Sequence, residues 1–74
     1  MSQLDELARE LKANYVGAPK SQKVVQIHLF GIRRAAALKN ISLPDLLARA
    51  GMPDSYKTEL SKGIRLADHV QVNR

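Results

Sequence analysis

Residues Asp45 to Arg65 read DLLARAGMPDSYKTELSKGIR, a run in which two helix-forming segments are separated by a glycine and a proline. Just before it, Ser42 stands three residues ahead of Asp45, which is typical of a helix N-terminus. Pro44 falls in the first turn, where its missing N–H costs nothing. The pattern predicts a helix over about 43–50.

The end of this helix and the start of the next are also marked in the sequence. Gly51 is suited to a positive φ just past a helix, and Pro53 prevents the helix from simply continuing. A second helix over about 54–62 follows, with Lys62 in its last turn and Gly63 at its end. The stretch 42–63 is therefore predicted to be two helices joined by a tight turn.

Composition sets limits on what such a chain does. It has 74 residues, a net charge of +5, no cysteine and two histidines. We expect one domain over 1–74 with no disulfide, no structural metal and no cofactor. The acidic N-terminus is unlike a signal peptide and no run is long enough to span a membrane, so we expect a cytoplasmic protein without membrane association.

The positive charge is unevenly distributed along the chain. Residues 1–12 contain three acids and two bases, whereas residues 13–74 contain ten bases and four acids. An excess of this kind favours a polyanionic partner such as nucleic acid.

The rest of the chain divides into three further segments. Ser2 and Asp5 repeat the helix-start signal, which predicts an N-terminal helix within 1–16. Gly17 and Pro19 break the pattern, and a central helix is predicted over 20–39. In the tail, 64–74, a short strand near 69–72 is an open alternative. The expected fold is all-α: a small four-helix bundle containing a helix-turn-helix.

The central segment is apolar on most of its surface. We expect Gly31 either to allow a close helix crossing or to split the segment in two. Ile27 and Phe30 lie beyond the main apolar stripe, so this helix should have neighbours on more than one side. The predicted stripe consists of Val24, Val25, His28, Leu29, Ile32, Ala35, Ala36 and Leu38.

The stretch from Ser42 to Arg65 resembles the helix-turn-helix of the Cro/C1-type phage repressors, also called XRE-like. The resemblance covers about a third of the chain and rests on Leu46, Leu47, Ala50, Gly51, Met52, Tyr56, Leu60, Lys62, Gly63 and Arg65. The spacing puts Leu46, Ala50, Met52 and Leu60 in the seam between the two helices.

The resemblance implies that the outward face of the second helix enters the major groove of DNA. Carried onto this chain, the base-reading candidates are Asp54, Ser55, Thr58, Glu59 and Lys62. A carboxylate is repelled by phosphate but accepts from cytosine N4. Two acids on one face therefore leave open the alternative that Asp54 caps the helix and Glu59 is a solvated charge.

The candidate phosphate contacts are basic residues on the second helix and the central helix, namely Lys57, Arg65, Arg33, Arg34 and Lys39. Such contacts contribute affinity and register but no sequence information. The alternative is an ordinary solvated basic surface, because the sequence does not place the two groups on one face. His28 lies on the apolar side of its helix, where partial burial is a better interpretation than a role as ligand or base.

These observations favour a small bacterial or phage transcription regulator that binds double-stranded DNA. Regulators of this size usually dimerise, and either the N-terminal helix, through Leu4, Leu7 and Leu11, or the tail, through Val70 and Val72, would supply the interface. No catalytic motif is present, so we do not expect an enzyme. The alternative function is a protein-interaction module, an inhibitor or adaptor built on a helix-turn-helix scaffold without specific DNA binding.

Overall fold

Short helices make up most of the chain in the computed structural model, which describes residues 2–69. Within this range there are five α-helices and no strand: α1 (Gln3–Gly17), α2 (Lys23–Arg33), α3 (Ala35–Leu38), α4 (Leu43–Ala50) and α5 (Lys57–Leu66). Two 3₁₀ turns, Lys20–Gln22 and Asp54–Tyr56, precede α2 and α5. The all-α prediction is confirmed. Of the suggested strand, His69 lies in a turn and 70–72 fall outside the described residues.

Both serine caps that the sequence indicates are present. The Ser2 hydroxyl accepts a hydrogen bond from the Asp5 backbone N–H at 3.1 Å, and the Ser42 hydroxyl accepts one from Asp45 at 3.4 Å. Each bond satisfies a backbone donor that the first turn of a helix leaves without an intrahelical partner. These caps define where α1 and α4 begin.

The central segment is not one helix, as predicted, but two. The break lies at Arg34, whose φ of −110° and ψ of 19° are non-helical, and not at Gly31. Arg34 comes seven, four and three residues after Ile27, Phe30 and Gly31, the buried residues of α2. In a continuous helix these intervals would put Arg34 in the middle of the same buried face. Burial of the guanidinium there would be costly, and the break leaves Arg34 exposed while Ala35 and Leu38 remain buried.

The buried face of α2 differs from the predicted stripe. Ile27 and Phe30 are fully buried, whereas Val24 and Val25 are exposed. The reason is that α2 packs against α1 on one side and α5 on another, which confirms the expected neighbours on more than one side. A helix with apolar residues around most of its circumference does not reveal by periodicity which of them its neighbours cover.

The core is formed by α1, α2, α4 and α5 with Leu38 from α3 and Met52 from the turn after α4. It consists of Leu7, Ala8, Leu11, Ile27, Phe30, Leu38, Leu46, Leu47, Ala50, Met52 and Leu60. Leu7 and Leu11 are thus buried within the chain and do not offer a surface to a second copy, whereas Leu4, the third leucine suggested for a dimer interface, is partly buried. No helix of the described part is both long and apolar enough to span a membrane.

Candidate nucleic-acid interface

The turn between α4 and α5 is built by Gly51 in the left-handed conformation, with φ of 71°. The Gly51 N–H donates to the Ala48 carbonyl at 3.1 Å, and the Met52 N–H donates to the Leu47 carbonyl at 2.9 Å. This pair of bonds is a Schellman motif, which satisfies carbonyls that the end of α4 would leave unpaired. The prediction of a glycine turn here is confirmed.

A compact apolar seam joins α4 to α5. Leu46, Ala50, Met52 and Leu60, the four residues predicted for it, are all buried. Leu47 is buried beside them. Because Leu60 lies on the inner side of α5, its burial determines which side of α5 faces outward.

The start of α5 differs from the sequence prediction. A 3₁₀ turn occupies Asp54–Tyr56, and α5 begins at Lys57. Pro53 occupies the N-cap position of this turn and Tyr56 that of α5, so the predicted alternative role of Asp54 as a cap is not supported. Asp54 and Ser55 are exposed at the entrance to α5.

The end of α5 also lies elsewhere, since the helix passes through Gly63 and continues to Leu66. A Cβ atom on Gly63 would lie 2.5 Å from the carbonyl oxygen of His28, and one on Gly31 would lie 3.0 Å from the Gly63 Cα. The backbones of α2 and α5 therefore touch at these two glycines. The close crossing suggested for Gly31 is confirmed, whereas the role of Gly63 as a helix end is wrong.

This extension brings Arg65 onto the same face of α5 as two predicted base-reading residues. Thr58, Lys62 and Arg65 are exposed and follow one another at intervals of four and three residues, so they lie on one side of the helix. We call these three residues the outer face of α5. Lys62 and Arg65 also line a shallow surface depression together with Leu66, Asp68 and His69.

Glu59 does not share this outer face, which corrects its predicted position. Its Oε1 atom lies 2.6 Å from Nε2 of His28, and both side chains are about three-quarters buried, with relative exposures of 25% and 28%. The Lys62 ammonium lies 4.0 Å from the same oxygen. One of the two acids expected beside DNA is thus bound to α2.

The predicted phosphate contacts have different surroundings. Lys57 and Lys39 are exposed, and the Nε atom of Arg33 is buried without a hydrogen-bond partner among the described residues. Arg34 faces α1, where Nε and Nη2 donate to the Glu10 carboxylate at 2.7 to 3.1 Å. The hydrogen bond and charge of Glu10 raise the pKa of Arg34 further above its ordinary value. The positive charge of Arg34 is therefore paired with Glu10 of α1.

A contact between two tyrosines joins the entrance of α5 to α1. The rings of Tyr15 and Tyr56 meet edge to face with centroids 5.4 Å apart, and their hydroxyls are 3.2 Å apart. The Lys23 ammonium lies 4.5 Å from the Tyr15 ring centroid and donates to the Tyr15 carbonyl at 2.7 Å. The hydrogen bond with Tyr15 raises the pKa of Tyr56, with burial as a smaller cause.

Neither the tyrosine contact nor the His28–Glu59 pair was predicted from sequence. The tyrosines are 41 residues apart, and the His28–Glu59 pair joins residues 31 apart. Local spacing carries no signal for such contacts, although an acid on a presumed DNA-facing helix was a hint that Glu59 has a partner elsewhere.

The comparisons with known proteins agree with this geometry. The family model described as HTH-like domain matches residues 3–73, nearly the whole chain. No curated protein and no solved structure matches the chain. The match supports a helix-turn-helix, for which DNA binding is the general expectation, without adding support for the Cro/C1-type repressors in particular. The chain belongs to the HTH-like domain family.

Proposed function

We propose that this chain is a DNA-binding transcription regulator of bacterial or phage type that places the outer face of α5 in the major groove of duplex DNA. The observation that carries the proposal is the position of Thr58, Lys62 and Arg65 on one exposed side of a helix whose other side is packed against α2 and α4. A helix held in this way presents its polar side chains to a groove in a defined orientation.

The distribution of charge supports the same surface. The acids Asp5 and Glu10 of α1 form ion pairs with Arg49 and Arg34, so the negative charges of α1 neutralise part of the positive charge of the rest of the chain. Arg65 makes no ion pair or hydrogen bond with any residue between 2 and 69. Since duplex DNA carries about one negative charge per 1.7 Å of its axis, unpaired cations on an exposed helix favour its approach.

Individual roles follow from exposure. Thr58 and Lys62 are proposed as contacts to base edges, with Asp54 and Ser55 beside them at the entrance of α5. Lys57 and Lys39 are proposed as phosphate contacts. Glu59 and Arg34 are given no role on DNA, because each is bound to another part of the bundle.

A homodimer remains part of the proposal. One helix of this length reads only a few base pairs, and two copies on adjacent half-sites would read more. The suggested contact through Val70 and Val72 lies outside the described residues. Such a regulator would act in the cytoplasm, with no catalytic step.

The test is duplex affinity measured by fluorescence anisotropy over a series of salt concentrations. We expect the double variant Lys62→Ala/Arg65→Ala to bind duplex at least about tenfold more weakly than the unmodified protein, with a smaller salt slope. Lys12→Ala is the control, because it removes one exposed lysine from α1. Its affinity should change by less than about threefold, because Lys12 lies on α1 and not on the outer face of α5.

Two results would contradict the proposal. One is an unmodified protein that does not bind duplex even at low salt, which would leave the protein-interaction module as the function to pursue. The other is a double variant that loses no more affinity than Lys12→Ala, because the positive charge of α5 would then have no particular role.

A further inference from the structure

Arg65 and Lys62 differ in what surrounds their charges. The Lys62 ammonium lies 4.0 Å from Oε1 of Glu59, so part of its field is balanced within α5. Arg65 is exposed and has neither hydrogen-bond nor ion-pair partner within residues 2–69. None of the five N–H donors of its guanidinium is therefore used by residues 2–69.

The position of Arg65 decides which acceptor is within reach. It lies seven residues after Thr58 and three after Lys62, and thus on the side of α5 that faces outward rather than on a flank. The ten residues of α5 span about 15 Å, and a major groove about 12 Å wide admits a helix of this thickness. Arg65 lies in the last turn of α5, so it faces the floor of the groove together with Thr58 and Lys62 when α5 lies along the groove over its full length.

The chemistry of the Arg65 side chain favours one kind of acceptor over the others. In the major groove guanine presents two acceptors, O6 and N7, side by side, and the planar fork of an arginine bonds both at once. Lysine offers a single rotating point charge and discriminates less well. A phosphate also accepts from arginine, but phosphates border the groove, whereas the proposed function directs the outer face of α5 into it.

We propose that Arg65 is a specificity-determining residue that reads a guanine in the major groove. This inference rests on the proposed function and assigns Arg65 a role other than the phosphate contact expected from its sequence position. The partner it defines is duplex DNA in which each half-site contains a guanine whose replacement lowers affinity.

The experiment selects bound sequences from a pool of duplexes with a randomised segment and then measures affinities for the selected site and its single-base changes. The unmodified protein should select a motif with one guanine whose replacement costs about tenfold or more in affinity. Arg65→Lys keeps the charge on an exposed surface position, so folding should be unaffected. It should keep the salt slope and reduce the penalty for replacing that guanine to about threefold or less.

Lys57→Ala is the matched control for a phosphate contact. It should weaken binding to all sequences about equally, lower the salt slope by about one and leave the motif unchanged. The inference is overturned if Arg65→Lys retains the full preference for guanine, or if it weakens all sequences equally. If the unmodified protein retains no duplex at all, the proposed function itself is wrong, a result distinct from loss of the guanine preference alone.

Discussion

Gly51 and Gly63 both belong to the helix-turn-helix, yet the chain needs a glycine at these two positions for different reasons. Gly51 has a φ of 71°, and a Cβ atom added to it would meet nothing within 4 Å. Gly63 lies inside α5, and a Cβ atom there would lie 2.5 Å from the His28 carbonyl oxygen. The first requirement concerns backbone conformation and the second concerns space.

The difference teaches which glycines a sequence reveals. A glycine after Leu-Ala-Arg-Ala and before Met-Pro is flanked by helix-end signals, and the turn it forms needs only local chemistry. The sequence Lys-Gly near the end of an apolar pattern looks like the same signal. Only the contact with α2, a helix far away along the chain, shows that Gly63 allows two backbones to touch.

The largest expected effect is that of Gly63→Ala. The new methyl group meets backbone rather than a flexible side chain, so α2 and α5 must separate, and we expect a loss of about 3 kcal/mol in the free energy of unfolding. Urea denaturation followed by circular dichroism measures it. Gly17→Ala is the control, because a Cβ atom there meets nothing within 4 Å. It should be neutral or stabilising by up to about 1 kcal/mol.

Gly31→Ala should also lower the free energy of unfolding, but by less than Gly63→Ala. At Gly31 the nearest atoms to an added Cβ are the Gly63 Cα and the Leu60 carbonyl oxygen, both at 3.0 Å. We expect Gly31→Ala to cost about 2 kcal/mol by the same urea titration. A double variant with Gly63→Ala should cost less than the sum of the two, since the first separation of the helices already makes room for the second methyl. Full additivity would mean that the two glycines do not share one contact.

The smallest effect is expected at Gly51, where the cost is conformational. Gly51→Ala should lower the free energy of unfolding by about 1 kcal/mol, because an alanine is strained at positive φ. Gly51→Asn should be less harmful than Gly51→Ala, since asparagine tolerates the left-handed region better. At Gly63 the order should reverse, with asparagine worse than alanine. The same order at both positions would show that the two glycines do not differ as described.

Local chemistry was enough to predict much of the fold. The caps at Ser2 and Ser42, the turn at Gly51 and the seam residue Leu60 were all found from sequence, because each depends on neighbours within a few residues or on strong apolar character. The break at Arg34 was missed, although the misfit of a charged residue with the buried side of α2 was present in the sequence.

The candidate site was less accessible to sequence reasoning. The sequence analysis ended the second helix of the helix-turn-helix at Gly63, so Arg65 lay beyond it. The sequence analysis also placed Glu59 on the outward side of that helix. The structure extends α5 to Leu66 and binds Glu59 to His28. Both corrections depend on how α5 packs against α2, and that contact has no counterpart in local spacing.

The most direct test of the central claim is a titration of the isotopically labelled protein with a short duplex, followed by the amide chemical shifts. The protein is small, at 8.2 kDa, and each amide reports on its own position. We expect the largest shift changes at Thr58, Lys62 and Arg65, with little change at Lys12 on the exposed side of α1. Changes centred on α1 with an unaffected α5, or no change at any amide, would contradict the claim that α5 carries the DNA-binding surface.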